Sequence, residues 1–208
     1  MDNKKSRILL ADDHAVVRKG LAALINDEPR FQVIAQAENG SEAVALYLKH
    51  HPDLVILDIQ MPLMGGVAAT EQILKEDPSA KVILFTTYDG DEDIYRGLNA
   101  GAKAYLLKDA TTEDIFRAID KVLSGGRYIP TEVAEKLYSR VSGNQLTERE
   151  QEVLRFVGLG LKNRGISAKM KISENTVKTH LSSITEKLGA SSRTDVALIA
   201  SKRGLLRV

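Results

Sequence analysis

Five short apolar runs, spaced through the first half of the chain and separated by longer amphipathic stretches, limit the possible folds more than any other feature. The runs are Arg7–Ala11, Phe31–Ala37, Asp53–Leu57, Lys81–Phe85 and Ala104–Leu107. Four are rich in Val, Ile or Leu without alternation, as expected of strands covered on both faces. Helical spacing fills the gaps. His14–Ile25 places Val17, Leu21 and Leu24 on one face, and Ser41–Lys49 does the same with Val44 and Leu48. Val67–Lys75, Asp91–Ala100 and Thr112–Leu123, the last with Ile115, Ile119 and Val122 in register, complete the set. Strand and helix in strict alternation imply right-handed crossovers and a three-layer α/β sandwich with a parallel sheet.

Each run ends in a polar group. Asp12 and Asp13 follow the first, Glu38-Asn39-Gly40 the second, Asp58 the third, Thr86 the fourth and Lys108 the fifth. Ligands of open parallel sheets bind beyond the carboxyl ends of the strands. An acidic cluster, a hydroxyl and an amine therefore meet at one edge, which suits a divalent cation together with a phosphoryl group. Asp58 is the candidate nucleophile, forming an acyl phosphate. Asp13 and Asp58 are candidate Mg2+ ligands, with Asp12 acting behind them or through water. Lys108 supplies a compact positive charge for one phosphoryl oxygen, and Thr86 a hydroxyl for another. A strand-end Asp alone is more often a helix cap than a ligand, and a lone Lys is usually solvated. The coincidence at four strand ends favours the site.

After residue 124 the pattern changes. Gly125-Gly126 ends the last helix of the α/β series, Pro130 opens a short helix over Thr131–Arg140, and Ser142-Gly143-Asn144-Gln145 reads as a hinge. The division expected is a first domain over 1–126, a linker with a short helix over 127–145, and a second domain over 146–208. The second domain has no strand pattern. Thr147 and Glu150 have capping-box spacing, Asn163–Met170 forms a short helix, and Ser173 caps a helix carrying Val177, Leu181, Ile184 and Leu188. A last helix runs from Thr194 to about Lys202. Four short helices in this space fit a helix-turn-helix module.

Charge separates the halves. Residues 1–128 carry 15 Lys and Arg against 20 Asp and Glu, and residues 129–208 carry 14 against 8. A basic helical half is a nucleic-acid candidate, although opposite charges also serve docking between domains. On the helix after Ser173, the apolar stripe leaves Asn175, Lys178, Thr179, Ser182 and Glu186 outward, and Thr176 in its first turn is a further candidate DNA contact. Lys178, Thr179 and Ser182 suit base edges in the major groove. Asn163, Arg164, Lys169, Lys171 and Lys187 suit the phosphate backbone. His14, His50 and His51 read as surface or cap residues, and His180 as a phosphate contact or a residue packed in its helix. There are no cysteines, which excludes disulfide and thiolate-metal frameworks. No apolar run reaches 18 residues and the N-terminus lacks the apolar core of a signal peptide, so no membrane partner and a cytoplasmic address are expected.

Residues 7–124 resemble a response-regulator receiver domain. Carrying the resemblance are Asp12-Asp13, Asp58-Ile59-Gln60-Met61-Pro62 with Gly66, Thr86, Ala100-Gly101-Ala102 and Tyr105-Leu106-Leu107-Lys108. It implies a flavodoxin-like sheet of order 2-1-3-4-5 and phosphorylation of Asp58 by a sensor histidine kinase. It also implies Mg2+ on Asp13, Asp58 and the backbone carbonyl of Gln60, and a switch in which Thr86 moves toward the phosphoryl group and Tyr105 turns into the vacated space. Gln60 and Tyr88 would flank the phosphate. Leu146-Thr147-Glu148-Arg149-Glu150, Gly160-Leu161-Lys162-Asn163, Ile172 to His180 and Lys187-Leu188-Gly189-Ala190 resemble a LuxR-type helix-turn-helix. The whole chain is thus similar to a NarL/FixJ-type response regulator, a transcription factor rather than an enzyme. That similarity implies double-stranded promoter DNA as partner and a homodimer paired through the last helix. Lys108-Asp109 departs from the Lys-Pro of many receivers. Gly165 stands where the family has a helix former, at a cost of about 1 kcal/mol against Ala, and Ser167 stands where Ala is usual. Two rivals remain at this level. An aspartyl phosphatase tends to carry a second Asp two residues beyond its nucleophile, where this chain has Gln60. A ligand-controlled LuxR-type regulator with a vestigial receiver would need no phosphate on Asp58.

Overall fold

The computed structural model describes residues 5–87, 90–142 and 146–206. Strands β1 (Ser6–Ala11), β2 (Phe31–Ala37), β3 (Leu54–Leu57), β4 (Val82–Thr86) and β5 (Ala104–Leu107) alternate with helices α1 (Ala15–Asp27), α2 (Gly40–His50), α3 (Gly66–Glu76), α4 (Asp91–Asn99) and α5 (Thr112–Leu123). All strand pairs are parallel, in the order β2-β1-β3-β4-β5, as the resemblance implied. The non-alternating apolar runs now have their cause. Ile8, Leu10, Ile56, Ile83, Phe85 and Leu106 pack with Ala22 and Ile25 of α1 and Ile115, Ile119 and Val122 of α5. The residues between them, Leu9, Val55, Leu57, Leu84 and Tyr105, are fully buried as well. Successive side chains of a strand point to opposite faces, so the sheet is covered on both sides.

Local caps set the helix starts. The Asn39 side chain accepts from Glu42 N at the head of α2, and the Thr111 hydroxyl accepts from Asp114 N at the head of α5. Two helix faces differ from the expected ones. The deepest face of α1 is Arg18, Ala22 and Ile25, with Val17, Leu21 and Leu24 only partly buried. Apolar periodicity could not anticipate a buried arginine, which is tolerated because its guanidinium is hydrogen-bonded to the Asp12 carbonyl and paired with Glu38. In α2, Leu48 is exposed and Tyr47 is buried in its place, its hydroxyl donating to Asp77 Oδ2.

The stretch read as the start of a linker is part of the first fold. Tyr128 bridges to Ala104, its N donates to Lys103 O at 3.0 Å, and its hydroxyl donates to Asp114 Oδ1 at 2.9 Å. Val133, near the start of α6 (Thr131–Ser142), is buried. An aromatic and a β-branched side chain here reward docking over solvation. The hinge residues 143–145 lie outside the described residues.

The chain divides into two compact units, Met1–Tyr88 with Ile94–Val133, and Asp89–Asp93 with Ala134–Val208. The second contains α7 (Glu148–Gly158), α8 (Asn163–Met170), α9 (Glu174–Leu188) and α10 (Arg193–Lys202). Its core includes Val153, Leu154, Val157, Ile166, Val177, Ile184, Leu188 and Val196. The expected capping box is present at α7, with both Thr147 and Glu150 bonded reciprocally, and Ser173 caps α9 by accepting from Thr176 N. The turn between α8 and α9 passes through Lys171 at φ 55°, a left-handed conformation that costs a non-glycine residue about 1 kcal/mol. The Ser167 hydroxyl donates to Ile172 O at 2.6 Å across that turn. The serine that departs from the family pattern therefore pins the turn. Among the described residues no helix is long and apolar enough to cross a membrane.

Candidate functional site

Strand register brings the polar strand ends together. Ala11 pairs with Leu57, Leu57 with Leu84, and Thr86 with Leu107. The residues just beyond, Asp12, Asp58 and Lys108, therefore stand side by side. Backbone bonds hold them there: Asp58 N donates to Ala11 O at 2.8 Å, and Lys108 N donates to Thr86 O at 2.8 Å. This edge is also where the chain order reverses about β1 and β3, the usual place for a ligand crevice in such sheets.

Lys108 is the centre of the site. Its Nζ donates to Asp58 Oδ2 at 2.7 Å and lies 2.7 Å from Asp12 Oδ2. Both carboxylates are buried. Burial alone would lower the pKa of the lysine, but its hydrogen bonds to Asp12 and Asp58 outweigh that and hold it above the ordinary lysine value. The amine is thus a fixed cation, as a charge-neutralising role requires. Asp13 is more exposed, with Oδ1 2.7 Å from His14 Nδ1. Asp12, Asp13, Asp58 and His14 each offer one ligand atom, all within 4.8 Å of one another. Three carboxylates are the oxygen-rich donor set that a hard divalent cation takes, so the residues present fit such an ion.

The loop after β3 is shaped around Asp58. Gln60 N lies 3.4 Å from Asp58 Oδ1, and Gly66 N donates to Ile59 O at 2.9 Å. A Cβ on Gly66 would stand 2.1 Å from the carbonyl oxygen of Asp58, so only glycine allows this approach. Thr86 is fully buried at the end of β4, and Tyr105 is fully buried on β5. Tyr88 lies outside the described residues.

Two participants, His14 and Arg18, escaped the sequence reading. His14 was read as a cap, and it does stand at the N-cap of α1, but it also belongs to the ligand cluster. Arg18 is only 7% exposed. Its NH1 donates to Asp12 O and its NH2 to Glu38 Oε1 at 2.7 Å. It ties the end of β1 to the end of β2 directly behind the site. The signal for Arg18 was available only as its place one turn into α1, on the face turned toward those strand ends.

In the second unit, Thr176, Lys178, Thr179 and Ser182 are all exposed along α9. The Thr179 hydroxyl donates to Asn175 O at 3.1 Å, and the Thr176 hydroxyl shares a hydrogen bond with that of Ser173 at 2.8 Å. Asn163, at the start of α8, accepts from Arg193 NH1 at 3.0 Å. Lys187, expected on a phosphate backbone, has its Nζ on Glu150 Oε2 at 2.7 Å. Burial would raise the pKa of Glu150, but its bonds to Lys187, Ser183 and Thr147 outweigh that and hold it at about 2.

A doubly wound parallel sheet with an acidic cluster and lysine at its carboxyl edge, followed by a helix-turn-helix unit, defines a class of two-domain regulators. Residues 8–120 match the family described as response regulator receiver domain, and residues 144–200 that described as bacterial regulatory proteins, luxR family. The transcriptional regulatory protein YdfI of Bacillus subtilis (strain 168) is 38% identical, covering 98% of this chain and 99% of that protein. LiaR of the same organism is also 38% identical, over 96% of this chain and 99% of its own length. The crystal structure of the response regulator ChrA, from a heme-sensing two-component system, is 39% identical with a TM-score of 0.60, covering 97% of this chain and 99% of that one. The chain belongs to the response regulators that join a receiver domain to a LuxR-type DNA-binding domain. It is a two-component transcription regulator rather than a catalytic enzyme.

Proposed function

We propose that Asp58 accepts a phosphoryl group from a sensor histidine kinase and that the acyl phosphate switches DNA binding or pairing of the second domain. The observation that carries this reading is the ammonium of Lys108 lying 2.7 Å from both Asp12 and Asp58 in a buried acidic crevice. An Asp58 carboxylate oxygen attacks phosphorus, the bond from phosphorus to the donor nitrogen breaks, and the donor imidazole leaves with a proton. Asp13, Asp58 and the Gln60 carbonyl would hold Mg2+, with Asp12 supporting them. The bound ion supplies charge neutralisation between carboxylate and phosphoryl oxygens. Lys108 moves from the carboxylates to a phosphoryl oxygen, and the Thr86 hydroxyl bonds another. Withdrawal of Thr86 toward the phosphate lets Tyr105 turn inward, which is the bistable element that the new charge biases. Hydrolysis of the acyl phosphate by water regenerates Asp58 and releases inorganic phosphate. Both reactions of the chain are on itself, and Gln60 beside the acceptor favours a phosphate lasting longer than seconds.

The receiver is proposed to span 1–126, with the linker over 127–145 and the DNA-binding domain over 146–208; the docked residues up to Val133 favour a linker beginning later. Lys178, Thr179 and Ser182 read base edges in the major groove, while Thr176 and Asn163 hold the phosphate backbone. Two copies pair on promoter DNA, and the setting is cytoplasmic. Asp58→Ala tests the reading. Acetyl phosphate with Mg2+ is expected to raise the DNA affinity of the wild-type chain and leave that of the variant unchanged. An equal response from both would sink the mechanism.

A further inference from the structure

We infer that Glu150 is a positioning residue for DNA reading: one carboxylate grips Ser183 and Lys187 of α9, fixes the rotation and axial position of that helix, and thereby sets selectivity among base sequences. The inference rests on the DNA-reading role proposed above. The buried stripe of α9, Val177, Ile184 and Leu188, supplies adhesion. Apolar contact has no preferred direction, so a stripe of this kind tolerates small rotations and slides. Hydrogen bonds do not. Glu150 is 4% exposed and stands at the third position of α7. Its Oε1 accepts from Ser183 Oγ at 2.6 Å, and its Oε2 accepts from Lys187 Nζ at 2.7 Å and from Thr147 N at 2.6 Å.

Ser183 and Lys187 are four residues apart and so share one face of α9, a turn from each other. Two directional bonds a turn apart define both the angle about the helix axis and the position along it. The third bond, from Thr147 N, anchors the same carboxylate to the head of α7. The exposed Lys178, Thr179 and Ser182 therefore inherit their aim from a residue on another helix. At the radius of a helical side chain, a rotation of roughly 10° moves a side-chain tip by about 1 Å, enough to break a bond to a base edge. Phosphate contacts are less exacting, because a charge acts over a longer distance. The structure also assigns Lys187 to this grip rather than to the duplex, so releasing it creates a phosphate contact.

The test uses the full chain with acetyl phosphate and Mg2+. One duplex is selected by the wild-type chain from a random pool, and the other is poly(dI-dC). Affinities are measured across a salt series at a temperature where circular dichroism shows every variant folded. Glu150→Gln is expected to lose about tenfold of the selected-to-random affinity ratio while random affinity holds or rises. Its log-log salt slope steepens by about 0.9 as Lys187 reaches a phosphate, and Glu150→Gln with Lys187→Met loses that extra slope. Ser183→Ala removes one bond only and is expected to lose about threefold of the ratio, which keeps the test decisive if Glu150→Gln melts. A ratio unchanged in the folded variants, with both affinities lowered together, assigns Glu150 to stability alone and overturns the inference. If the wild-type chain binds neither duplex, the DNA-reading role itself fails and the inference falls with it.

Discussion

Gly66 and Glu150 show how single residues make demands that neither burial nor hydropathy expresses. The approach of α3 to β3 leaves no room for a side chain at Gly66, since its Cβ would meet the backbone of Asp58 rather than a flexible side chain. Gly66→Ala must shift the acceptor or the loop behind it. A stability loss of about 1–3 kcal/mol is expected, read by urea unfolding, together with weakened beryllofluoride binding read by fluorine NMR. Unchanged values for both would contradict the geometry. Glu150 makes its demand through charge. Its folded pKa of about 2 lies below the ordinary value of 4.5. Its stabilising effect is therefore complete above pH 4.5 and is lost as pH falls toward 2. The effect is on the order of 2–3 kcal/mol. Acid titration of unfolding stability should show this loss for the second unit in the wild type and a flatter response in Glu150→Gln.

At the scale of elements, α8 carries a removable weakness. A Cβ on Gly165 would meet only the Leu161 side chain, at 3.6 Å, an ordinary contact. Gly165→Ala should therefore stabilise the helix by about 1 kcal/mol, seen as a raised melting temperature of the second unit. A lowered one would mean that the glycine serves a contact absent from this conformation. The elements were largely legible in the sequence. α5 and α8 have the expected bounds, and β4 runs one residue further, to Thr86. Caps such as Thr147 and Ser173, and apolar spacing, are local signals. What stayed hidden was non-local. The convergence of Asp12, Asp58 and Lys108 could be read because parallel strands share an edge. The roles of Arg18, Glu38 and His14 could not, because periodicity records which residues avoid water and not which charges find partners. The ion pair of Lys187 stayed hidden for the same reason. Its partner Glu150 lies 37 positions away, with no pattern linking the two.

At the scale of the whole molecule, the acidic first half and the basic second half suit different ligands. If occupancy of the phosphoryl crevice favours binding of the helical unit to duplex, linkage makes the effect mutual. The factor by which Mg2+ and beryllofluoride tighten duplex binding should equal the factor by which duplex tightens beryllofluoride binding. Calorimetric titrations in both orders measure the two factors, which must agree at equilibrium; a factor of one in both orders would mean that the crevice and the helical unit are not coupled. The amine spanning Asp12 and Asp58 has one more effect at this scale. Tethered by its own four-carbon stem, it can pivot but never diffuse away, so an arriving metal meets a crevice whose negative charge is already partly cancelled. Such a crevice would hold a divalent ion more loosely than three uncompensated carboxylates and exchange it more freely with the surroundings. Under the proposed phosphorylation of Asp58, the memory of a stimulus would reside in a covalent bond and not in a trapped metal.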